Sequence, residues 1–247
     1  MKKLNSNHLK IIAIIAMTID HLADLLYPNM QNSIVPIVLH IIGRVTAPIM
    51  FFFICEGYHY TKNLKKYIAR LFIFAIISHF AYCFAFGINY IPFTTGSVFN
   101  QTSIMWSLAW AVVALYVANG NNQLKEYQKW ILVILINVIA FPADFSSIAV
   151  MSILTMYSNR GNLNKQMRSM MMWLSLYALI SFIFVNKTYG VISLFAILVY
   201  PLLKNYNGER GKAKWLKWFF YLYYPLHLII IGIFRIIMYD NVPILFN

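Results

Sequence analysis

Apolar runs follow one another along almost the whole chain, and that pattern removes most folds from consideration. A helix crossing a bilayer needs roughly 20 apolar residues. Residues 9–27, 34–57, 67–86, 100–118, 167–185, 189–203 and 218–238 approach or exceed that length. Residues 130–141 and 145–157 are shorter, with Pro142, Ala143 and Asp144 between them. Only 11% of residues are charged, against about 25% in a soluble domain. A transmembrane β-barrel requires apolar and polar positions to alternate, and the runs 71–77 and 131–136 do not. The expected fold is all-α: a polytopic helical membrane protein of about nine transmembrane helices, forming one integral membrane domain over residues 1–247.

The net charge of +13 is carried mainly by loops. Lys62, Lys65, Lys66 and Arg70 follow the second run, and Lys125 and Lys129 the fourth. Arg160, Lys165 and Arg168 follow the short pair, and Lys204, Arg210, Lys212, Lys214 and Lys217 precede the last run. Basic loops alternate with loops poor in Lys and Arg, which the positive-inside rule reads as a cytoplasmic N-terminus and an outer C-terminus. Nucleic acid is therefore not an expected partner. Both flanks of 130–157 are basic, so this region is either two short crossings or a re-entrant hairpin. The first run lacks a small-residue cleavage site and is expected to remain as the first helix. Cys55 and Cys83 fall within spans and read as free apolar thiols. Scattered histidines and the lack of paired cysteine motifs give no reason to expect a metal.

The spans carry groups that lipid disfavours. An Asp or Arg at the centre of a lone membrane helix costs roughly 2.5–3.5 kcal/mol. Yet Asp20, His21 and Asp24 lie in the first run, His40, Arg44 and Glu56 in the second, His79 in the third and His227 in the last. On the expected topology Asp20, His21, Asp24, Arg44, His79 and His227 line one chamber open to the outside. A histidine beside a carboxylate can act as general base, although adjacent helix positions diverge by about 100°, so Asp20 need not orient His21. An arginine there can bind phosphate or stabilise an oxyanion. Simpler readings stand beside these. Asp20 and Arg44 could be an ion pair that fixes helix register. Asp24 could face the outer interface, His40 could be an interhelical hydrogen-bonding residue, and Glu56 could pair with Lys62 or Arg70. The Lys62 to Lys66 run reads as topology, or as an attraction for a phosphorylated cytosolic cofactor. Gly43 and Ala47, four apart, read as close helix packing.

The segment LKIIAIIAMTIDHL, followed by IIGRVTAPIMFFFICEGYHYTKN and KKYIARLFIFAIIS, resembles the TraX family of bacterial membrane proteins. FYLYYPLHLIIIGIFR resembles that family's closing segment, and VFNQTSIMWSLAWAVVAL with the Asp144 turn is a weaker echo. The family is similar to the wider group of transmembrane acyltransferases, and TraX itself is associated with N-terminal acetylation of conjugative pilin. The resemblance implies an acetyltransferase of the bacterial cytoplasmic membrane. It would take acetyl-CoA from the cytosol and an acceptor, a protein N-terminus or cell-surface glycan, from the outer side. On this basis His21 is the expected base, Asp20 its partner or helper, and Arg44 a cofactor or oxyanion group. Tyr224 and His227 complete the chamber, His227 with a catalytic role. Arg44, Lys62, Lys66 and Tyr224 are the expected cofactor contacts, and Asp24, His79, Asn100 and Asp144 the expected acceptor contacts. Ser78-His79 departs from the family's common Ser-Glu pair.

Two other classes use the same residues. A transporter or flippase would employ the intramembrane Asp, His and Arg as a substrate or proton pathway, though no internal repeat is evident, as many transporters have. A non-catalytic partner of a secretion or pilus apparatus would bind no CoA.

Overall fold

A computed structural model describes residues 3–28, 33–94, 98–120, 123–213 and 215–242, apart from the Lys217 side chain. Lys214 and the Lys217 side chain, both in the basic loop before the last run, lie outside the described residues. The helices are α1 (Ser6–Leu26), α2 (Ile34–Gly43), α3 (Thr46–Tyr60), α4 (Leu64–Phe86), α5 (Ile104–Asn119) and α6 (Glu126–Ala140). They continue with α7 (Ser146–Ser158), α8 (Leu163–Phe184), α9 (Lys187–Ser193), α10 (Val199–Lys204) and α11 (Leu216–Tyr239). No strand occurs among the described residues, only two isolated bridges.

The distribution of polarity is that of a membrane protein. On α11, Leu222, Leu226, Ile230, Ile233 and Ile237 are exposed, while His227 and Arg235 are buried. A water-soluble helix would do the reverse. Among the described residues five stretches are long and apolar enough to cross a membrane: Ile34–Tyr60, Leu64–Phe86, Leu163–Phe184, Lys187–Lys204 and Trp218–Tyr239. α1, which carries Lys10, Asp20 and Asp24, is not among them. α5, α6 and α7 are shorter, with 16, 15 and 13 residues. At 1.5 Å per residue, α7 spans about 20 Å of a core about 30 Å thick.

Two of the expected spans are built differently from a single α-helix. The run 34–57 is interrupted after Gly43 and restarts at Thr46. Pro48 sits in the first turn of α3, where its missing N–H is harmless, but its ring excludes a helical carbonyl at Arg44, four residues earlier. The run 189–203 tightens to a 3-10 helix at Leu194–Leu198, between α9 and α10.

The chain, read from its sequence as one domain, groups into two compact units. The first comprises Met1–Met50, Phe84–Ile88 and Leu174–Phe246. In it α1 packs against α2 and α11, and α2 against α9. The α1–α2 contact is close because Gly43 has no side chain: a Cβ there would lie 2.3 Å from Asp20 Cγ. Gly43→Ala is expected to force the two helices apart and cost about 1–3 kcal/mol, read as a lowered thermal midpoint of the purified protein. An unchanged midpoint would contradict this packing. The segment before α1 straps the loop ahead of α11. Leu4 N–H donates to Asn205 O (3.0 Å) and Asn207 N–H to Leu4 O (2.8 Å). The Ser6 hydroxyl donates to Arg210 O (2.6 Å).

The second unit comprises Phe51–Cys83 and Asn89–Trp173. α5 is its central helix, packed on α6 and α7. Ile104, Leu108, Ala109, Ala111, Val112, Ala114 and Leu115 are all buried, as expected of a helix apolar on every side. The turn between α6 and α7 is pinned by Gln101 N–H to Pro142 O (2.8 Å) and Asp144 N–H to Thr102 O (2.9 Å). Phe145 and Ser146 both take left-handed backbone angles, φ 59° and 49°. Glu56 pairs with Arg160, Nε to Oε1 2.9 Å. Partial burial opposes the Arg160 charge, but the Glu56 carboxylate outweighs it and holds the guanidinium pKa above its ordinary value. The two residues are 104 positions apart, so helical spacing offered only the nearer cations. Cys55 and Cys83 are buried free thiols.

Candidate functional site

Asp20 and His21 are neighbours in sequence and face different helices, as a 3.6-residue period requires. Asp20 turns to α2 and His21 to α11. The first unit therefore holds two polar clusters on either side of α1.

On the α2 side, Arg44 and His40 lie one turn apart and converge on Asp20. Arg44 Nη2 donates to Asp20 Oδ2 (2.6 Å) and Oδ1 (2.8 Å). His40 Nδ1 is 2.8 Å from Asp20 Oδ1, and its Nε2 is 3.8 Å from Asp24 Oδ1. Arg44 Nε also donates to His40 O (3.2 Å) and Nη1 to the Tyr189 hydroxyl (3.1 Å). The Tyr189 ring lies 5.0 Å from the guanidinium carbon, and a second hydroxyl, that of Tyr177, is 3.3 Å from Tyr189. Arg44 is only 7% exposed. Its guanidinium is thus engaged at all three nitrogens by the protein itself. This arrangement suits Arg44 to hold Asp20 and α2 in register, the ion-pair reading that the sequence offered beside a cofactor or oxyanion role. The Asp20 carboxylate is oriented by Arg44 and His40, and not by His21, its neighbour in sequence, which the helical period turns elsewhere.

On the α11 side, His21 Nδ1 lies 2.8 Å from His227 Nε2. The two rings are nearly parallel, 4° between planes. His227 Nδ1 lies 2.9 Å from the Tyr223 carbonyl one turn back. A carbonyl only accepts, so His227 carries its proton on Nδ1. In a neutral ring its Nε2 then has a lone pair and accepts from His21 Nδ1–H. The remaining nitrogen, His21 Nε2, is left with a lone pair that meets no donor among the described residues. The Phe86 ring meets His21 edge-on at 5.6 Å. Tyr223 stacks on His227, with centroids 5.2 Å apart, and its hydroxyl is 2.7 Å from Thr18 Oγ1. Tyr224 is buried and meets the His227 ring edge-on at 5.5 Å. Pro225, within α11, has no N–H for the Tyr221 carbonyl and so interrupts the helical ladder beside this group.

The other sequence-derived residues lie in the second unit. His79 Nε2 donates to Tyr90 O (2.7 Å), which leaves Nδ1 to accept from the Thr102 hydroxyl (3.0 Å). Asn100 has a left-handed backbone, φ 54°. Asp144 occupies the pinned turn before α7. Lys62 and Lys66 are exposed around the start of α4, where Asn63 Oδ1 caps the Lys66 N–H (2.9 Å).

Tyr189 and Tyr223 are not among the site residues read from sequence, whereas His40 is the interhelical hydrogen-bonding residue that its place in the second run suggests. Tyr223 could have been, because it lies four residues before His227 on the same helix face. Tyr189, 145 residues from Arg44, gave no local signal.

Comparison with known proteins points one way. The TraX protein family matches residues 5–235. A probable fimbrial assembly protein of Dichelobacter nodosus, FimC of serogroup H1, is 30% identical over 228 residues, which cover 89% of this chain and 91% of that protein. An uncharacterised protein of Rickettsia prowazekii (strain Madrid E) is 38% identical over 69 residues, 28% of this chain and 23% of its own. No solved structure matches.

Proposed function

The chain belongs to the TraX family of membrane proteins, and from that premise we propose that it is an acetyltransferase of the bacterial cytoplasmic membrane. Acetyl-CoA is the donor, on the cytosolic side, and the acceptor is an amine or hydroxyl presented at the outer side. A protein N-terminus fits a relative named for fimbrial assembly; a cell-surface glycan is the other acceptor of the right chemistry. The observation that carries this reading is the ordered chain Tyr223 O, His227, His21, which leaves His21 Nε2 with an open lone pair.

The reaction needs one base. As the acceptor's nitrogen or oxygen attacks the thioester carbonyl carbon, its proton passes to His21 Nε2. The new C–N or C–O bond forms and the C–S bond breaks. The proton on His21 then neutralises the departing thiolate, giving free CoA. His227 and the Tyr223 carbonyl fix the ring that does this, and the positive charge transiently on His21 is shared toward His227. Arg44 and Asp20 hold α1 against α2, which keeps His21 in place. Glu56 and the exposed Lys62 and Lys66 take no chemical part in this scheme.

The test is release of CoA thiol from acetyl-CoA by purified protein supplied with peptide amines or glycan hydroxyls. Release that depends on acceptor supports the proposal; none with any acceptor class defeats it. The transporter reading draws on the buried Asp20–His40–Arg44 cluster and the 3-10 interruption at Leu194–Leu198. Solute flux in liposomes free of CoA would favour that reading.

A further inference from the structure

Where α7 ends and α8 begins, the second unit has an open cleft of about 340 Å³. It is lined by Thr155, Ser158 and Asn159 from the last turn of α7, and by Arg168, Ser169 and Met172 from α8. None of these is acidic. The acetyl-transfer scheme does not use this cleft.

The polar groups of the cleft are only partly satisfied by the protein. The Thr155 hydroxyl donates to Met151 O (2.9 Å) and accepts from Trp173 Nε1 (3.1 Å). The Ser158 hydroxyl donates to Leu154 O (3.1 Å). The Asn159 amide donates to Thr155 O (2.9 Å) and to Ser169 Oγ (2.9 Å). That last bond uses Ser169 as an acceptor, which turns its own hydroxyl proton away from Asn159. Arg168 is exposed and makes no hydrogen bond or ion pair among the described residues. Among the described residues neither the Arg168 guanidinium nor the Ser169 hydroxyl proton meets an acceptor. The cleft's surroundings add positive charge from Lys165, one turn before Arg168 and likewise exposed. A planar guanidinium and a hydroxyl donor lining one cleft match the oxygens of a phosphate.

We propose that this cleft binds a phosphate group, held by the Arg168 guanidinium and the Ser169 hydroxyl. Two sources share that chemistry. An anionic phospholipid headgroup fits a cleft between helices at the basic end of a membrane protein, with exposed Met172 one turn further along α8 to meet its acyl chains. A soluble phosphorylated molecule would use the same two donors. Neither source depends on the acetyltransferase reading.

The experiment uses the full-length protein in detergent, as wild type, Arg168→Gln, Ser169→Ala and Lys165→Gln. One arm measures retention of phosphatidylglycerol by native mass spectrometry. The other measures binding of inorganic phosphate by calorimetry. Wild type is expected to bind one of the two probes, and the arm that responds identifies the source. Arg168→Gln should weaken that binding by about tenfold or more, as loss of a charged hydrogen-bond donor does. Ser169→Ala should weaken it less, and Lys165→Gln should leave it within about twofold, since a screened surface charge contributes little. Arg168 is exposed, so its replacement leaves the fold intact. Binding of neither probe, or equal losses in Arg168→Gln and Lys165→Gln, would overturn the proposal.

Discussion

His21→Ala is expected to slow acetyl transfer by roughly 10²–10⁴-fold, the usual contribution of a positioned general base. The loss should fall on turnover, because His21 is placed to move a proton and not to hold the donor. The companion variants separate the base from the group that orients it. His227→Ala removes the acceptor for His21 Nδ1–H and frees the ring to turn, so turnover falls by a smaller factor. His227→Gln offers an amide oxygen in its place and should recover part of that loss. Steady-state CoA release with a saturating acceptor reads all three. Equal defects in His227→Ala and His227→Gln would mean that the 2.8 Å bond to His21 does not set the active ring.

Arg44→Met should be the most destabilising single change in the first unit, by about 3–5 kcal/mol, because it leaves the Asp20 carboxylate buried without its cation. The side chains of Arg44 and Asp20 are 6% and 15% exposed, and Nη2 lies 2.6 Å from Oδ2. Pairing Arg44→Met with Asp20→Asn removes both charges and should restore much of the loss. Unfolding of the purified proteins in the same detergent measures each corner of that cycle. If the double variant is no more stable than Arg44→Met alone, the pair does not carry the stability assigned to it.

Much of the helical layout can be read from hydropathy, because lipid permits little else between apolar runs. The exceptions have local causes. Pro48 marks the restart of a helix at Thr46, a signal legible once its missing N–H is placed in a first turn. The 3-10 stretch at Leu194–Leu198 has no comparable signature, being a run of ordinary apolar residues. The site divides in the same way. Asp20 with Asp24, and His40 with Arg44, share faces by their four-residue spacing, and Asp20 and His21 must diverge. Which helix each meets is a tertiary matter. That α1 is flanked by α2 and α11, so that adjacent residues serve separate clusters, is written in no local pattern. Gly43 was legible as a packing residue, but the carboxylate it makes room for was not. Glu56 illustrates the limit most simply: its partner Arg160 lies 104 residues away, while two nearer cations offered themselves in the sequence.

The chemistry assigned to the first unit rests on which nitrogen of His21 is bare. Nitrogen-15 NMR of histidine-labelled protein at pH 8, above the ordinary imidazole pKa of about 6.5, reads this directly. Protonated Nδ1 and unprotonated Nε2 on both His21 and His227, with the His21 signals identified by their loss in His21→Gln, is the expected result. A proton on His21 Nε2 with a bare Nδ1 would contradict it, since the atom held to be the base would then have no lone pair to offer.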